Sequence, residues 1–166
     1  MDAERAITKY TLRDVTEEDR DLLLDAYAAG RAVELNAVPW DDAMKRTFVE
    51  HQFNAQSDHY REHYPYAEHR IVMVDGKAVG RVYVDRDDAA MISLLDLVVL
   101  EPYRGRGIAT AVIEDLLTEG RRSNRIVRVY TEEFNPSLRL FESLGFEATE
   151  KDGFLWRLDA RPAEEK

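Results

Sequence analysis

LLDLVVLEPYRGRGIATAVIEDLL, residues 94–117, is the most informative part of the chain. It begins as an apolar strand, passes through a turn with two arginines and two glycines, and continues with the spacing of an amphipathic helix. Free N–H groups and the helix dipole make a helix N-terminus attractive to anions, and glycine lets a phosphate approach the main chain. Taken alone, the stretch predicts either a phosphate site or a tight turn.

The pattern of apolar residues on either side of this stretch predicts an α/β domain with one mixed sheet. The Asp-Gly pairs at 75–76 and 152–153 predict tight hairpin turns, and Gly30 is placed to end the first helix. Residues 31–40 are predicted as a loop. Strands are predicted at 7–13, 70–74, 77–84, 91–100, 126–130, 146–149 and 154–158, and helices at 17–29, 42–64, 108–117 and 137–144.

Length and composition restrict the class of protein. A chain of 166 residues fits one domain, predicted at 1–160, with a disordered tail at 161–166. The absence of cysteine excludes disulfides, thiolate zinc sites and a cysteine nucleophile. Because neither an apolar leader nor a membrane-spanning run is visible, a soluble cytoplasmic protein without a membrane partner is expected.

The chain is acidic, with 33 acidic against 23 basic residues and a formal net charge of -10. Binding to nucleic acid relies on clustered Lys and Arg, so a nucleic-acid partner is not expected. An acidic field suits a cationic amine or a basic peptide, although it also describes an ordinary soluble surface.

Two motifs resemble those of a known family. Arg104, Gly107 and Ala109 fit the spacing R/Q-x-x-G-x-G/A of the GNAT superfamily of acyl-CoA-dependent N-acetyltransferases. Residues 135–146 resemble the family's N-P-A-x-x-L-Y-x-x-x-G-F, with Ser137 and Phe141 replacing the usual Ala and Tyr. The resemblance implies a single mixed, mostly antiparallel sheet of six or seven strands, with helices on both faces and a splay between the fourth and fifth strands.

The resemblance also implies acetyl-CoA as the acyl donor, with no metal. Backbone amides of the glycine turn would hold the pyrophosphate, the edge of the preceding strand would pair with the pantetheine amides, and Asn135 would contact the cofactor nearby. The residues implied in cofactor binding are Val98, Val99, Leu100, Arg104, Gly105, Arg106, Gly107, Ile108, Ala109, Thr110, Asn135 and Phe141.

The position of Phe141 leaves the general acid open. Many relatives protonate the leaving thiolate from a tyrosine at this position, and a phenyl ring cannot donate a proton. Another tyrosine such as Tyr130 or Tyr103 could substitute, the thiolate could leave unassisted or through water, or the protein could bind coenzyme A without catalysis. Thiolates leave readily, so a missing acid need not abolish activity.

The candidate general base is Asp96, which is the one carboxylate in an otherwise apolar strand. A buried carboxylate is costly unless it is paired or functional. Asp96 could therefore serve as the base, or it could simply accept hydrogen bonds from a loop or from an arginine such as Arg81. Glu132, just past the following strand, is a second candidate.

The resemblance places the acceptor pocket between the first two helices, the 31–40 segment and the late hairpin around Asp152 and Gly153. A metal pair at His59 and His63 lacks the H-E-x-x-H context, so these side chains are interpreted as partly exposed helix residues. The second helix and the residues just after it include histidines and tyrosines able to line the pocket: His51, His59, Tyr60, His63, Tyr64 and Tyr66.

Three functions remain open on this basis. The first is an N-acetyltransferase that acts on the primary amine of a small molecule, such as a polyamine, an amino acid or an antibiotic-like amine. The alternatives are a protein acetyltransferase acting on Lys or an N-terminus, and a catalytically quiet coenzyme A binding module. A homodimer through the late strands is possible by resemblance.

Overall fold

The computed structural model describes residues 9–162, within which the chain forms seven strands and five α-helices. Ile7 and Thr8 of the predicted first strand, and residues 163–166 of the predicted tail, lie outside this range. The strands are β1 (Thr11–Asp14), β2 (Glu68–Val74), β3 (Lys77–Asp85), β4 (Met91–Val99), β5 (Ile126–Glu132), β6 (Glu147–Asp152) and β7 (Leu155–Ala160). The helices are α1 (Arg20–Gly30), α2 (Ala32–Asn36), α3 (Asp42–His63), α4 (Ile108–Ser123) and α5 (Ser137–Ser143).

All seven strands belong to one sheet in the order β1-β2-β3-β4-β5-β7-β6. Neighbouring strands are antiparallel except β4 and β5, which are parallel and joined by α4. A parallel pair needs such a crossover, whereas the antiparallel pairs can be joined by tight turns. The mixed, mostly antiparallel sheet confirms the predicted fold class.

The β4 and β5 strands separate after four paired residues. Met91 to Leu94 pair with Ile126 to Val129, and the pairing then stops. Beyond that point β4 continues against β3, and β5 continues against β7 as far as Glu132. The resulting gap is the predicted splay between the fourth and fifth strands.

Helices cover the sheet on both faces, because alternate residues of the strands point to opposite sides. α4 and α5 pack on one face over a core that includes Val82, Ile92 and Ile113. α1 and α3 pack on the other face around Leu24, Phe53 and Ile71. None of the helices within residues 9–162 is long and apolar enough to cross a membrane.

The predicted loop at 31–40 is wrong in its first half, where α2 forms. Gly30 is the last residue of α1 and is not among the glycines with positive φ, so it does not turn the chain away from helical geometry. Leu35 of α2 is buried in the core beside α1 and α3, and this contact anchors a helix of only five residues.

Candidate active site

The glycine turn before α4 requires its two glycines for conformational reasons. Gly105 has φ of 78° and Gly107 has φ of 79°, and both values lie in the left-handed region that side chains disfavour. A Cβ built on Gly105 would meet no atom within 4 Å, so crowding by the protein is not the reason for glycine there. The turn therefore leaves its outer side open to a ligand.

Five residues at this turn and the start of α4 have backbone N–H groups that donate no backbone hydrogen bond within residues 9–162. Gly105, Gly107, Ile108, Ala109 and Thr110 donate no backbone hydrogen bond there, and the first bond of the helix runs from Ala111 N–H to the Gly107 carbonyl. Unsatisfied donors at a helix N-terminus with the positive end of the dipole form an anion site.

The two arginines of the turn contact their own surroundings. Arg104 Nε donates to the Val99 carbonyl at 2.9 Å and so ties the turn to the end of β4. The Arg106 guanidinium lies over the Tyr103 ring at 5.7 Å. Both arginines therefore add positive charge beside the open N–H groups.

A cleft of about 110 Å³ occupies the gap between β4 and β5. Ala109 at the start of α4 is one of its lining residues, so the cleft reaches the glycine turn. Asn135 lines it near α5, where its Oδ1 accepts from the Ser137 N–H at 2.9 Å in the turn before that short helix. The other lining residues are Leu94, Leu95, Asp96, Leu97, Ile113, Val129, Tyr130, Thr131, Ser137, Leu140 and Phe141.

Alternate residues of β4 present backbone groups to this cleft. The Leu100 N–H donates to the Val79 carbonyl of the β3 side at 2.8 Å, so Leu100 faces β3. Because bonding direction alternates along an antiparallel strand, Val98 also faces β3, while Leu97 and Val99 face the gap. The bond from Arg104 to the Val99 carbonyl agrees with this alternation.

Asp96 lines the cleft and is paired with Arg81 of β3. Arg81 Nε donates to Asp96 Oδ2 at 2.7 Å, and Nη2 contacts the same oxygen. The side chain of Arg81 is 1% exposed and that of Asp96 is 23% exposed. The alternative left open by the sequence, hydrogen bonding of Asp96 to Arg81, is therefore present. Within residues 9–162 the other oxygen, Oδ1, accepts no hydrogen bond. We call Arg81 and Asp96 the cleft pair.

The candidate tyrosines lie at different places. Tyr130 of β5 lines the cleft and is 49% exposed. Tyr103 lies at the glycine turn under Arg106 and does not line the cleft. Phe141 is buried in the cleft wall against Phe146, with ring centroids 5.2 Å apart. Of the two candidate tyrosines, Tyr130 is therefore the one that lines the cleft.

Glu132 lies outside the cleft lining, at the end of β5. Its carboxylate is 3.7 Å from the guanidinium of Arg31, the residue that follows α1. The same guanidinium lies over the Tyr27 ring. The ion pair links the α1–α2 junction to β5. It spans the side on which the resemblance places the acceptor.

The sequence predicted only that Tyr60 is able to line the acceptor pocket. Its hydroxyl donates to the Leu95 carbonyl at 3.0 Å, beside Asp96. The only signal available in the sequence was its place among the tyrosines of the second helix, which does not distinguish it from Tyr64.

Two histidines near the end of α3 pack on each other. The His59 and His63 rings lie 4.2 Å apart, and His63 Nδ1 is 3.0 Å from the His59 carbonyl. Within residues 9–162, no cluster of three or more metal-ligating side chains occurs.

The acetyltransferase (GNAT) family matches residues 28–146, which include the glycine turn, the splayed strands and the cleft. This chain belongs to that family, and it is a GNAT acetyltransferase. No curated protein sequence matches the chain significantly.

Solved structures of the same fold cover almost the whole chain. PH1933 from Pyrococcus horikoshii is 17% identical, with a TM-score of 0.69 over 94% of this chain and 100% of its own. The PaiA N-acetyltransferase from Thermoplasma acidophilum, in complex with coenzyme A, is 13% identical, with a TM-score of 0.65 over 92% and 99%. A GNAT acetyltransferase from Elizabethkingia anophelis with acetyl-CoA bound is 12% identical, with a TM-score of 0.59 over 92% and 97%.

Proposed function

We propose that this chain transfers an acetyl group from acetyl-CoA to the primary amine of a small-molecule acceptor by direct attack. The observation that carries the proposal is a continuous path from the open N–H groups at the start of α4 to a cleft where Asp96 and Tyr130 meet. An anion site and a reaction site are thereby joined by a strand edge with free backbone groups.

The residues of this path fit acetyl-CoA. The N–H groups from Gly105 to Thr110 would hold the pyrophosphate, with Arg104 and Arg106 adding charge. The Leu97 carbonyl and the Val99 N–H face the gap and would pair with the pantetheine amides, and the NH₂ group of Asn135 would contact the same arm. Phe141 would contribute an apolar wall.

Asp96 and Tyr130 are the proposed proton carriers. Acetyl-CoA supplies the acetyl thioester, whose C–S bond breaks as a bond forms from the carbonyl carbon to the amine nitrogen. Asp96 would take the proton that the amine loses, through Oδ1, which is the oxygen not held by Arg81. Tyr130 would donate its phenolic proton to the departing sulfur, in the role that Phe141 cannot fill. Glu132 is a more distant second candidate for the base.

The covered acceptor side favours a small acceptor over a protein. α2 occupies part of the segment between the first helices, and the ion pair of Arg31 with Glu132 bridges it to β5. An extended peptide would need an open groove there. The exposed hydroxyl of Tyr130 beside the cleft also favours catalysis over quiet coenzyme A binding.

The proposal is tested by release of free coenzyme A thiol from acetyl-CoA over pH 6 to 9. The acceptor panel contains polyamines, amino acids, aminoglycosides and short peptides with a free Lys or N-terminus. Turnover with a small amine is expected. Turnover with peptides alone would identify a protein acetyltransferase, and tight acetyl-CoA binding without turnover would favour a quiet module.

The phosphate site is tested separately by Gly107→Glu, which places bulk and negative charge where the pyrophosphate is expected. Gly76→Glu is the matched control, because Gly76 also has a positive φ, of 74°, but lies in the β2–β3 hairpin. Calorimetry should show that only Gly107→Glu abolishes coenzyme A binding. Retained micromolar affinity would refute this placement.

A further inference from the structure

β4 carries one extra residue at the point where it leaves β5. Leu94 pairs with Val84 and Asp96 pairs with Tyr83, so Leu95 has no register partner in β3. A bulge of this kind bends the strand and re-aims the backbone groups that follow it. Whatever holds the bulge therefore sets the direction of the N–H groups beyond it.

Tyr60 of α3 contacts this bulge directly. Its hydroxyl donates to the Leu95 carbonyl at 3.0 Å. Its ring packs edge-on against Tyr83, with centroids 4.9 Å apart, and Tyr83 is the register partner of Asp96. One side chain thus contacts both strands at the irregular position.

A second contact from the same face of α3 reinforces the first. Gln56 lies four residues before Tyr60, and its Oε1 accepts from Arg81 Nη2 at 2.7 Å. Arg81 in turn holds the carboxylate of Asp96. α3 therefore fixes the carbonyl of Leu95 directly and the side chain of Asp96 through Arg81.

Leu97 is the first residue after the bulge whose N–H faces the cleft, by the alternation described above. A backbone N–H preorganised toward a carbonyl oxygen stabilises the negative charge that develops there during acyl transfer. The stabilisation depends on where the N–H points, since a misplacement of about 1 Å can cost on the order of 100-fold in rate.

We propose that Tyr60 is a positioning residue, whose hydroxyl holds the Leu95 carbonyl so that the Leu97 N–H points at the oxygen of the acetyl thioester. The inference rests on the proposed function and deepens it by assigning a support for the β4 backbone donor. Tyr60 is not among the residues that line the cleft, so it would act through the backbone of β4.

The protonation state of Tyr60 agrees with a fixed donor. Burial raises the pKa of the Tyr60 hydroxyl above its ordinary value, and the charge of Asp96 raises it further. The hydroxyl therefore stays protonated throughout pH 6 to 9 and donates to Leu95 at every pH of the assay.

The test compares Tyr60→Phe with Tyr10→Phe. Tyr10 is a matched control because its hydroxyl donates to Asp115 Oδ2 at 2.6 Å in a pocket lined by α4, away from the cleft. Without acetyl-CoA, the ¹⁵N–¹H resonance of Leu97 should move in Tyr60→Phe and stay in place in Tyr10→Phe. With acetyl-CoA, kcat of Tyr60→Phe should fall by about 10- to 100-fold. Its KM for acetyl-CoA should stay within about twofold and its pH–rate profile should keep its shape.

Two results would overturn the role of Tyr60. The first is an unmoved Leu97 resonance together with a kcat near that of the wild type. The second is loss of the basic limb of the pH–rate profile, because it would make Tyr60 a general acid. A wild-type protein that turns over no amine would instead refute the proposed function, which the Leu97 resonance does not measure.

Discussion

Two arginine–aspartate pairs lie on the sheet face opposite α4, and they use their carboxylate oxygens differently. In the pair of Arg128 and Asp159, which we call the distal pair, Nε donates to Oδ1 at 2.8 Å and Nη2 donates to Oδ2 at 3.0 Å. In the cleft pair both guanidinium nitrogens contact Oδ2. The distal pair leaves neither oxygen of Asp159 without a donor, whereas the cleft pair leaves Oδ1 of Asp96.

Burial and register explain the difference. Arg128 and Asp159 are direct register partners on β5 and β7, and Asp159 is 1% exposed while Arg128 is 20% exposed. In the cleft pair the arginine is the buried member. The register partner of Arg81 on β4 is Val98, and Asp96 lies two residues before Val98. Two pairs with the same side chains thus hold both carboxylate oxygens in one place and only one in the other.

Asp159→Asn tests the structural role of the distal pair. It leaves the Arg128 charge without its partner, and breaking a buried pair in this way costs about 3–5 kcal/mol. We expect about 3 kcal/mol, the lower end, because Arg128 is partly exposed. Urea unfolding measures the loss, and a change below about 1 kcal/mol would show that the pair contributes little.

Asp96→Asn tests the chemical role of the cleft pair. Removing a general base lowers turnover by at least about 100-fold, and acetyl-CoA affinity should change little. Asp159→Asn is the comparison, because it makes the same change in a pair that lies outside the cleft lining. An Asp96→Asn protein with the pH–rate profile of the wild type would exclude Asp96 as the base.

His69→Phe tests how pH affects stability near the cleft pair. His69 stacks on Tyr83 at 4.5 Å, and its burial, followed by the charge of Arg81, lowers its pKa to about 4 from an ordinary 6.5. As the pH falls, the unfolded chain therefore binds this proton before the folded chain does. The free energy of unfolding is not reduced by this histidine above pH 6.5, and it falls as the pH drops toward 4.

Phenylalanine keeps the stacking and removes the titration. The difference in unfolding free energy between pH 7 and pH 4.5 should shrink by about 1–2 kcal/mol, allowing for solvent around the ring. His51→Phe on the exposed face of α3 is the control, because it makes the same substitution away from Tyr83 and Arg81. An equal response of both variants would contradict the assignment.

The double change Arg128→Met with Asp159→Leu should have the smallest effect. Replacing both members of a buried pair by apolar side chains is often neutral, because no charge is left unpaired. We expect the unfolding free energy to stay within about 1 kcal/mol of the wild type. A large loss of turnover would show that the distal pair also serves the active site.

Local patterns in the sequence predicted much of this fold. The glycine turn and the Asp75-Gly76 hairpin depend on residues adjacent in the chain, and both appear as predicted, with φ of 50° and 74° in the hairpin. α4 runs six residues past the predicted Leu117. Gly120 lies inside α4 and does not end it. Close packing explains the glycine, because a Cβ at this position would lie 2.9 Å from the Arg125 carbonyl.

The active site was less predictable, because its features depend on strand register. The bulge at Leu95 falls in an apolar run, where one extra residue disturbs no visible alternation. Asp96 and Arg81 are 15 residues apart, and only the β3–β4 register decides whether they meet. The sequence predicted the cofactor path and nominated Asp96 and Tyr130 as candidate proton carriers. Whether Asp96 is paired with Arg81, which the sequence left open, required the three-dimensional arrangement.

The exposed edge of β6 has a consequence for assembly. All six of its side chains are exposed, and four are charged: Glu147, Glu150, Lys151 and Asp152. An unpaired strand edge invites a further strand, and charged side chains oppose that growth. Subunits that met along this edge would bring like charges together, so ionic strength would control any such association.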